Sequence, residues 1–335
     1  MSAYKLNEVE REVIACSMLD ARMPVSDVAR LIGRREHAVR YAFKRLREEG
    51  VLKPYALINV YALGLTNYAV YFSRSVEAPV DRQDFLRRLY ELQEVTWLGE
   101  VSGDYNTGIV VSAHHIRELD QFLSTLACSH GKSVLRREVV LHVHNSSFRL
   151  KYLANVPAPV EVLAYGGDPV HVELDDLDIK ILRGLGDPNL WEHLDLARFL
   201  GIPLSTLRYR LGRLEDTKVI AGYGWGVTAP KFGMHHYKLL ISERQPAPSF
   251  AADFFNFCLA HPHIIYHIRC IGPWSLEVGV QLDEPGRVPH ICAEISERFG
   301  SAIGEIRILT ELSCHKYIPF PPDERLRARR MTANG

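Results

Sequence analysis

The chain has 335 residues, 47% of them hydrophobic and 24% charged, and its 40 Lys/Arg balance 40 Asp/Glu for a formal net charge of zero. This is the composition of a globular protein long enough for two or more domains. It excludes a global field that would pull the chain onto nucleic acid or a membrane, so any such attraction is local. No apolar run reaches the roughly 18 residues of a membrane span, and "MSAYKLNEVERE" is charged where a signal peptide is apolar. The expectation is a cytoplasmic protein with no membrane partner. Cys16, Cys128, Cys258, Cys270, Cys292 and Cys314 form no Cys-x-x-Cys pair and read as free buried thiols in a reducing compartment.

Leu6, Val9, Val13 and Ile14 predict one apolar face of a first helix, with Glu10 on the exposed side. "VSDVARLIG" predicts a short helix stopped by Gly33. A third helix follows, with Val39, Phe43 and Leu46 facing inward, which makes a helix-turn-helix. "EEGVLKPY" offers a short strand, and the alternation of "LGLTNYAVYFSRS" predicts a longer one. Then come an amphipathic helix over 84–92, two strands around a glycine in "VTWLGEVSGDYNTGIVVSA", a helix over 115–128 and a strand over 134–143. This is the β-α-β-β-α-β order of a ferredoxin-like unit. Residues 154–172, rich in Pro and Gly, read as a linker.

The same series then returns. Leu174, Leu177, Ile181 and Leu182 stand 168 residues after the first apolar face, and Asp178 takes the exposed place of Glu10. "HLDLARFLG" ends in Gly201, and Leu207, Leu211 and Leu214 line the next helix. "HAVRYAFKRL" and "STLRYRLGRL" match across the repeat, Arg40-Tyr41 returning as Arg208-Tyr209. "FGMHHYKLLISER", helices over 250–260 and 288–299, "IIYHIRCIGPWSLEVGVQL" and a strand over 305–312 complete the second series. The expected fold is therefore α+β, with two winged-helix-type helix-turn-helix domains, each followed by a ferredoxin-like βαββαβ domain. The boundaries read 1–56 and 57–153, the linker 154–172, then 173–224 and 225–320, with a basic tail over 321–335.

In order and spacing, found twice, these motifs closely resemble the Lrp/AsnC (feast/famine) transcription regulators: "LNEVEREVI", "VARLIG", "AVRYAFKRLREEGVL" and "GEVSGDYN" in one half, "LDDLDIKIL", "LARFLGIPLSTLRYRLGRL" and "GPWS" in the other. Members of that family pair through their βαββαβ (RAM) domains. The resemblance thus implies a tandem fusion that forms an intramolecular pseudo-dimer on double-stranded DNA, and it leaves higher homo-oligomers open. A helix-turn-helix reads DNA with the N-terminal part of its second helix. The candidate contacts are Arg34, Arg35, His37, Arg40, Tyr41 and Lys44 in the first half, and Ser205, Thr206, Arg208 and Arg210 in the second. Residues 30–53 hold eight Lys/Arg against three Asp/Glu, and residues 194–218 hold five against three, so the first head is expected to grip phosphate harder. The bland alternative is a three-helix scaffold that no longer touches DNA.

In this family a small effector, often an amino acid, binds near the "GDYN" loop. The resemblance implies Gly103, Asp104, Tyr105 and Asn106 as effector contacts, and Gly272 and Trp274 in the second half, where Pro273 replaces the carboxylate. The alternative is a plain β-turn. The paired histidines of "VLHVHNSS" (His142, His144) and "HPHIIYH" (His261, His263, His267) lack the closed ligand set of a zinc site. No P-loop, dinucleotide fingerprint or nucleophile constellation occurs. No catalytic residue, metal ligand or cofactor is assigned, and the expectation is a non-enzyme. Sirohaem decarboxylases share the architecture and form the rival reading, but their His- and Arg-rich stretch is missing where this chain has "WLGEVSGDYN".

Overall fold

A computed structural model describes residues 3–74, 79–130, 134–168 and 170–317. The basic tail read over 321–335 lies outside them.

The first half opens with α1 (Glu8–Ser17), α2 (Val25–Ile32) and α3 (Glu36–Glu48), and then wing strand β1 (Leu52–Ile58). Its βαββαβ unit is β2 (Thr66–Arg74), α4 (Pro79–Glu91), β3 (Val95–Ser102), β4 (Thr107–Ala113), α5 (Ile116–His130) and β5 (Val134–Phe148). Strand β6 (Val162–Gly166) follows. The second half repeats the order: α6 (Asp176–Gly184), α7 (His193–Leu200), α8 (Leu204–Asp216) and wing strand β7 (Ile220–Val227). Then come β8 (His235–Glu243), α9 (Phe250–Ala260), β9 (Ile264–Ile271), β10 (Leu276–Leu282), α10 (Val288–Phe299) and β11 (Ile303–Tyr317).

The repeat holds almost residue for residue. Helices α2 and α3 return 168 residues later, and every strand of the first βαββαβ unit returns 169 later at both ends. The one-residue change of offset falls in the second wing. There β1 and β7 pair antiparallel, and the ladder steps from Leu57↔Gly222 to Ile58↔Ile220, leaving Ala221 unpaired as a bulge. At mid-ladder Tyr55 faces Gly224, its own counterpart, so a pseudo-two-fold axis passes there.

The two ferredoxin-like sheets merge. Strand order is β2-β4-β3-β11-β8-β10-β9-β5-β6, and β2 also pairs with β5, so eight strands close into a barrel with β6 added at one side. Closure leaves no open edge between the halves. Each long last strand does double duty: β11 pairs with β8 along its first part and with β3 along its second, and β5 likewise joins β2 and then β9. Strand alternation sends Tyr68, Val70 and Phe72 outward against α4 and α5, and Ala69 and Tyr71 into the barrel. Helices α9 and α10 cover the other half in the same way.

The helix-turn-helix bundles are swapped onto the opposite halves. The first packs Val13, Val28 and Leu46 with Trp191 and Trp225 of the second half, and Arg22 lies 4.1 Å over Trp191 and 4.9 Å over Tyr223. The second packs Ile181, Leu207 and Leu214 against Ile58 to Leu65 of the first. Gly33 and Gly201 end α2 and α7 in the left-handed conformation, both at φ +66°, as the sequence implied.

Several expectations need correction. Glu10 and Asp178 are not exposed: both are fully buried as the N3 residues of capping boxes on Asn7 and Asp175. The stretch read as a linker contains β6, which pairs with the end of β5. The boundaries at 56 and 224 fall inside β1 and β7. The helix read over 84–92 starts at Pro79, and both last strands run longer than read. Of the cysteines, Cys16, Cys258 and Cys270 are buried, but Cys128 and Cys314 are exposed.

Candidate functional site

The two recognition helices, α3 and α8, present the same surface. Val39 and Leu46, and likewise Leu207 and Leu214, are buried against their own bundles. That fixes which side turns outward: Arg40 and Tyr41 on α3, Arg208 and Tyr209 on α8. Tyr41 is 62% exposed and Tyr209 71%, an unusual state for a large aromatic residue with no partner to cover it. Arg35, His37, Lys44 and Ser205 are exposed beside them, and Thr206 is half-buried.

The outward cations differ in how far they are already neutralised. Arg40 pairs with Glu36 at 2.6 Å and Lys44 with Glu48 at 3.8 Å, both exposed i,i+4 pairs that cost little to exchange for phosphate. Arg208 makes no ion pair with any described residue. Two of the sequence candidates are committed elsewhere. Arg34 holds Glu12 and Glu8 at 2.8 Å each, and Arg210 is tied to Asp175 and Asp178. Their guanidiniums brace the start of the first helix of their own bundle.

The two glycine loops meet the barrel rather than an open surface. Gly103 has φ +132°, and a Cβ there would stand 2.6 Å from the Ile308 carbonyl oxygen of β11. Gly272 lies against Val139 and Val140 of β5, the counterparts of Ile308 and Leu309. The close approach that these glycines permit is therefore made by the opposite half's last strand. Tyr105 and Trp274, expected as effector contacts, are each 1% exposed and pack on each other with ring centroids 6.3 Å apart. They plug the end of the barrel on the pseudo-two-fold axis. Asp104 and Asn106 are exposed, and Asp104 faces Arg307 at 3.9 Å.

A second polar site lies inside the barrel, and the sequence reading missed it. A chamber of about 280 Å³ runs from the wing residues Leu57 and Ile58 down to Tyr71 and Tyr266. Lys238 donates to Glu277 Oε1 at 3.0 Å and to the Tyr266 hydroxyl at 3.0 Å, and its ammonium lies 4.5 Å over Trp97. The Tyr71 hydroxyl donates to Glu277 Oε2 at 2.9 Å. Glu311 faces His236 at 3.3 Å and Lys238 at 3.9 Å. Burial opposes the charge on Glu277, but Lys238 and its hydrogen bonds hold the carboxyl below its ordinary range. Burial likewise opposes the charge on Glu311, yet His236 and Lys238 bring it down to about 2. Burial pushes His142 down and keeps it neutral, and its Nε2 has no hydrogen-bond partner among the described residues. No group of three or more His, Cys, Asp or Glu among those residues is placed to hold a metal, and no helix there is long and apolar enough to cross a membrane.

The chain is 26% identical over 146 residues to the HTH-type transcriptional regulator FL11 of Pyrococcus furiosus, covering 43% of this chain and 95% of that protein. It is 31% identical over 119 residues to an uncharacterised HTH-type transcriptional regulator of the same organism, covering 35% of this chain and 79% of that one. Such relatives are therefore about half as long as this chain. The siroheme decarboxylase NirDL, solved with an iron-uroporphyrin III analogue, shares the fold over 98% of this chain and 100% of its own, with TM-score 0.60 and 13% identity. No protein-family model matches the chain.

Proposed function

The chain belongs to the Lrp/AsnC family of helix-turn-helix transcriptional regulators, and from that premise we propose that it binds double-stranded DNA as a covalent pseudo-dimer whose grip a small effector adjusts. One observation carries this reading: two recognition helices, joined through one wing ladder about a pseudo-two-fold axis, each expose an Arg-Tyr pair at the same register. Base edges are read from such a helix face, and two-fold-related faces call for two half-sites. Arg35, His37, Arg40, Tyr41 and Lys44 form the first face, and Ser205, Thr206, Arg208 and Tyr209 the second. Their unlike chemistry implies unlike half-sites. The wing connects effector and head, since β1 leaves α3 and also lines the chamber.

Selection of bound sequences from a random DNA pool, with the full chain, tests the proposal. The expected result is one asymmetric site with two recognisable halves. Recovery of no enriched sequence would refute it.

The rival is a tetrapyrrole decarboxylase. A polycarboxylate macrocycle needs cations and room. The chamber offers one lysine, already bonded to Glu277. Its lining does not fit such a substrate. Adding sirohaem is expected to give no Soret band, and a stoichiometric band would favour the enzyme.

A further inference from the structure

The barrel chamber has features that packing alone does not require. Most of the barrel interior is apolar: Ala69, Val140, Leu240, Ile268 and Leu309 pack there with the aromatic plug. Against that background the second half sends three charges inward. Lys238, Glu277 and Glu311 stand where the first half has Ala69, Gly108 and His142. Two carboxylates face one lysine, and the lysine's bonds go to Glu277 and Tyr266. Glu311 meets His236 and Lys238 through one oxygen only, Oε2, and His236 balances its charge only when doubly protonated. Beside them His142, 6% exposed, has a ring nitrogen, Nε2, that lies 4.0 Å from Glu277 Oε2 and makes no hydrogen bond among the described residues, and the Nε2 of His236 is a second such nitrogen. Aromatic faces from Trp97 and Tyr266 complete the wall.

We infer that this chamber is a binding site for a small ligand carrying a protonated amine, of about amino-acid size, with its ammonium group set against Glu311 and an aromatic face and its remaining polar groups against His142 and His236. The chemistry follows from the lining. An ammonium can donate to the Glu311 oxygen that His236 and Lys238 do not meet, and gains from the aromatic ring. The volume admits an amino acid. The site also lies where it matters for two heads. Its walls come from both halves, and Leu57 and Ile58 belong to the wing strand that pairs with β7. A ligand here touches the ladder between the heads, whereas the glycine loops at the far end of the barrel do not. The regulatory consequence rests on the reading of the chain as an effector-modulated regulator; the binding itself does not.

The test is calorimetric titration of the full chain with each protein amino acid and with the decarboxylated amine of each. An amine that binds without its carboxylate assigns the site to simple amines, and binding only of the parent assigns it to amino acids. Glu311→Gln, which keeps the shape and removes the charge, is expected to weaken the ligand roughly tenfold or more. Val110→Phe, which fills the chamber without touching the charges, is expected to abolish binding. Asp104→Ala is expected to leave it unchanged. In the wild-type chain the imidazole resonances of His142 and His236 shift on ligand addition, a readout that needs no variant. The inference is overturned if no amine or amino acid binds at up to about 10 mM, if binding survives in both chamber variants, if those resonances stay still, or if Asp104→Ala alone removes the ligand. A gel shift on the selected DNA separates the two readings. Amine binding without DNA binding overturns the regulator and keeps the chamber, and DNA binding without amine binding does the reverse.

Discussion

The two halves of the chain share a backbone almost residue for residue and spend their charges in different places. The first half carries its surplus on the reading head, where residues 30–53 hold eight Lys/Arg against three Asp/Glu. The second half holds five Lys/Arg against three Asp/Glu over residues 194–218 but sends Lys238, Glu277 and Glu311 into the barrel. On the first half Arg34, Arg40, Lys44 and Arg45 are each already met by a glutamate. On the second head Arg208 meets no carboxylate among the described residues. Duplication therefore set the architecture, and a few inward or outward positions set the chemistry. A single-copy homodimer has to place the same residue at both sites, whereas a tandem chain is free of that constraint.

The largest effect should come from the barrel. Lys238→Met leaves Glu277 buried without its cation and is expected to cost about 3–5 kcal/mol of stability, measured by urea unfolding. The first-half counterpart, Ala69→Met, adds volume only and is expected to cost about 1–3 kcal/mol. Equal losses would erase the contrast between the halves.

Acid sensitivity should come next. Burial, with the charges of Arg269 and His144 nearby, pushes His267 down to about 4, and the rings of Phe254 and Phe255 pack on it. Its counterpart in the first half is Leu98. Because the unfolded chain takes up this proton near pH 6.5 and the folded chain near 4, the histidine costs nothing above 6.5 and destabilises as pH falls towards 4. His267→Leu should remove a loss on the order of 3 kcal/mol across that window. Unfolding at a series of pH values checks it, and an unchanged slope would mean that the ring titrates normally.

On DNA, Arg40→Ala is expected to lose about 1–3 kcal/mol and relax one base preference, as for a bidentate base contact. Arg208→Ala should lose less but relax a different base, in the other half-site. Arg210→Ala should change neither preference, since its guanidinium braces Asp175 and Asp178. Binding assays on single-base variants of the selected site measure all three.

The helix-turn-helix and βαββαβ order could be read from the sequence because those elements bury one face and leave a clear period, as in Val39, Phe43 and Leu46. The chamber could not. In a closed barrel both faces of a strand are covered, so Lys238 in "HYKLLIS" and Glu277 in "SLEVGVQ" look like solvent-facing alternates although they point inward. Glu10 and Asp178 are hidden for a related reason, because a capping carboxylate can be buried where a backbone N–H and an arginine meet it. Strand β6 is only five residues long and is defined by its pairing with β5, which no local pattern announces. The "GDYN" loop can be read as a turn between two strands, but what fills the space at its glycine is β11 of the other half, 205 residues further along the chain at Ile308.

The central claim, two reading heads on one chain, is tested most directly by hydroxyl-radical footprinting on the selected site with one chain bound per DNA. The account predicts two protected segments on one face of the duplex, centred about 10 bp or a multiple of that apart, with Arg40→Ala fading one and Arg208→Ala the other. A single protected half-site, or a second one that appears only when a second chain binds, would contradict it.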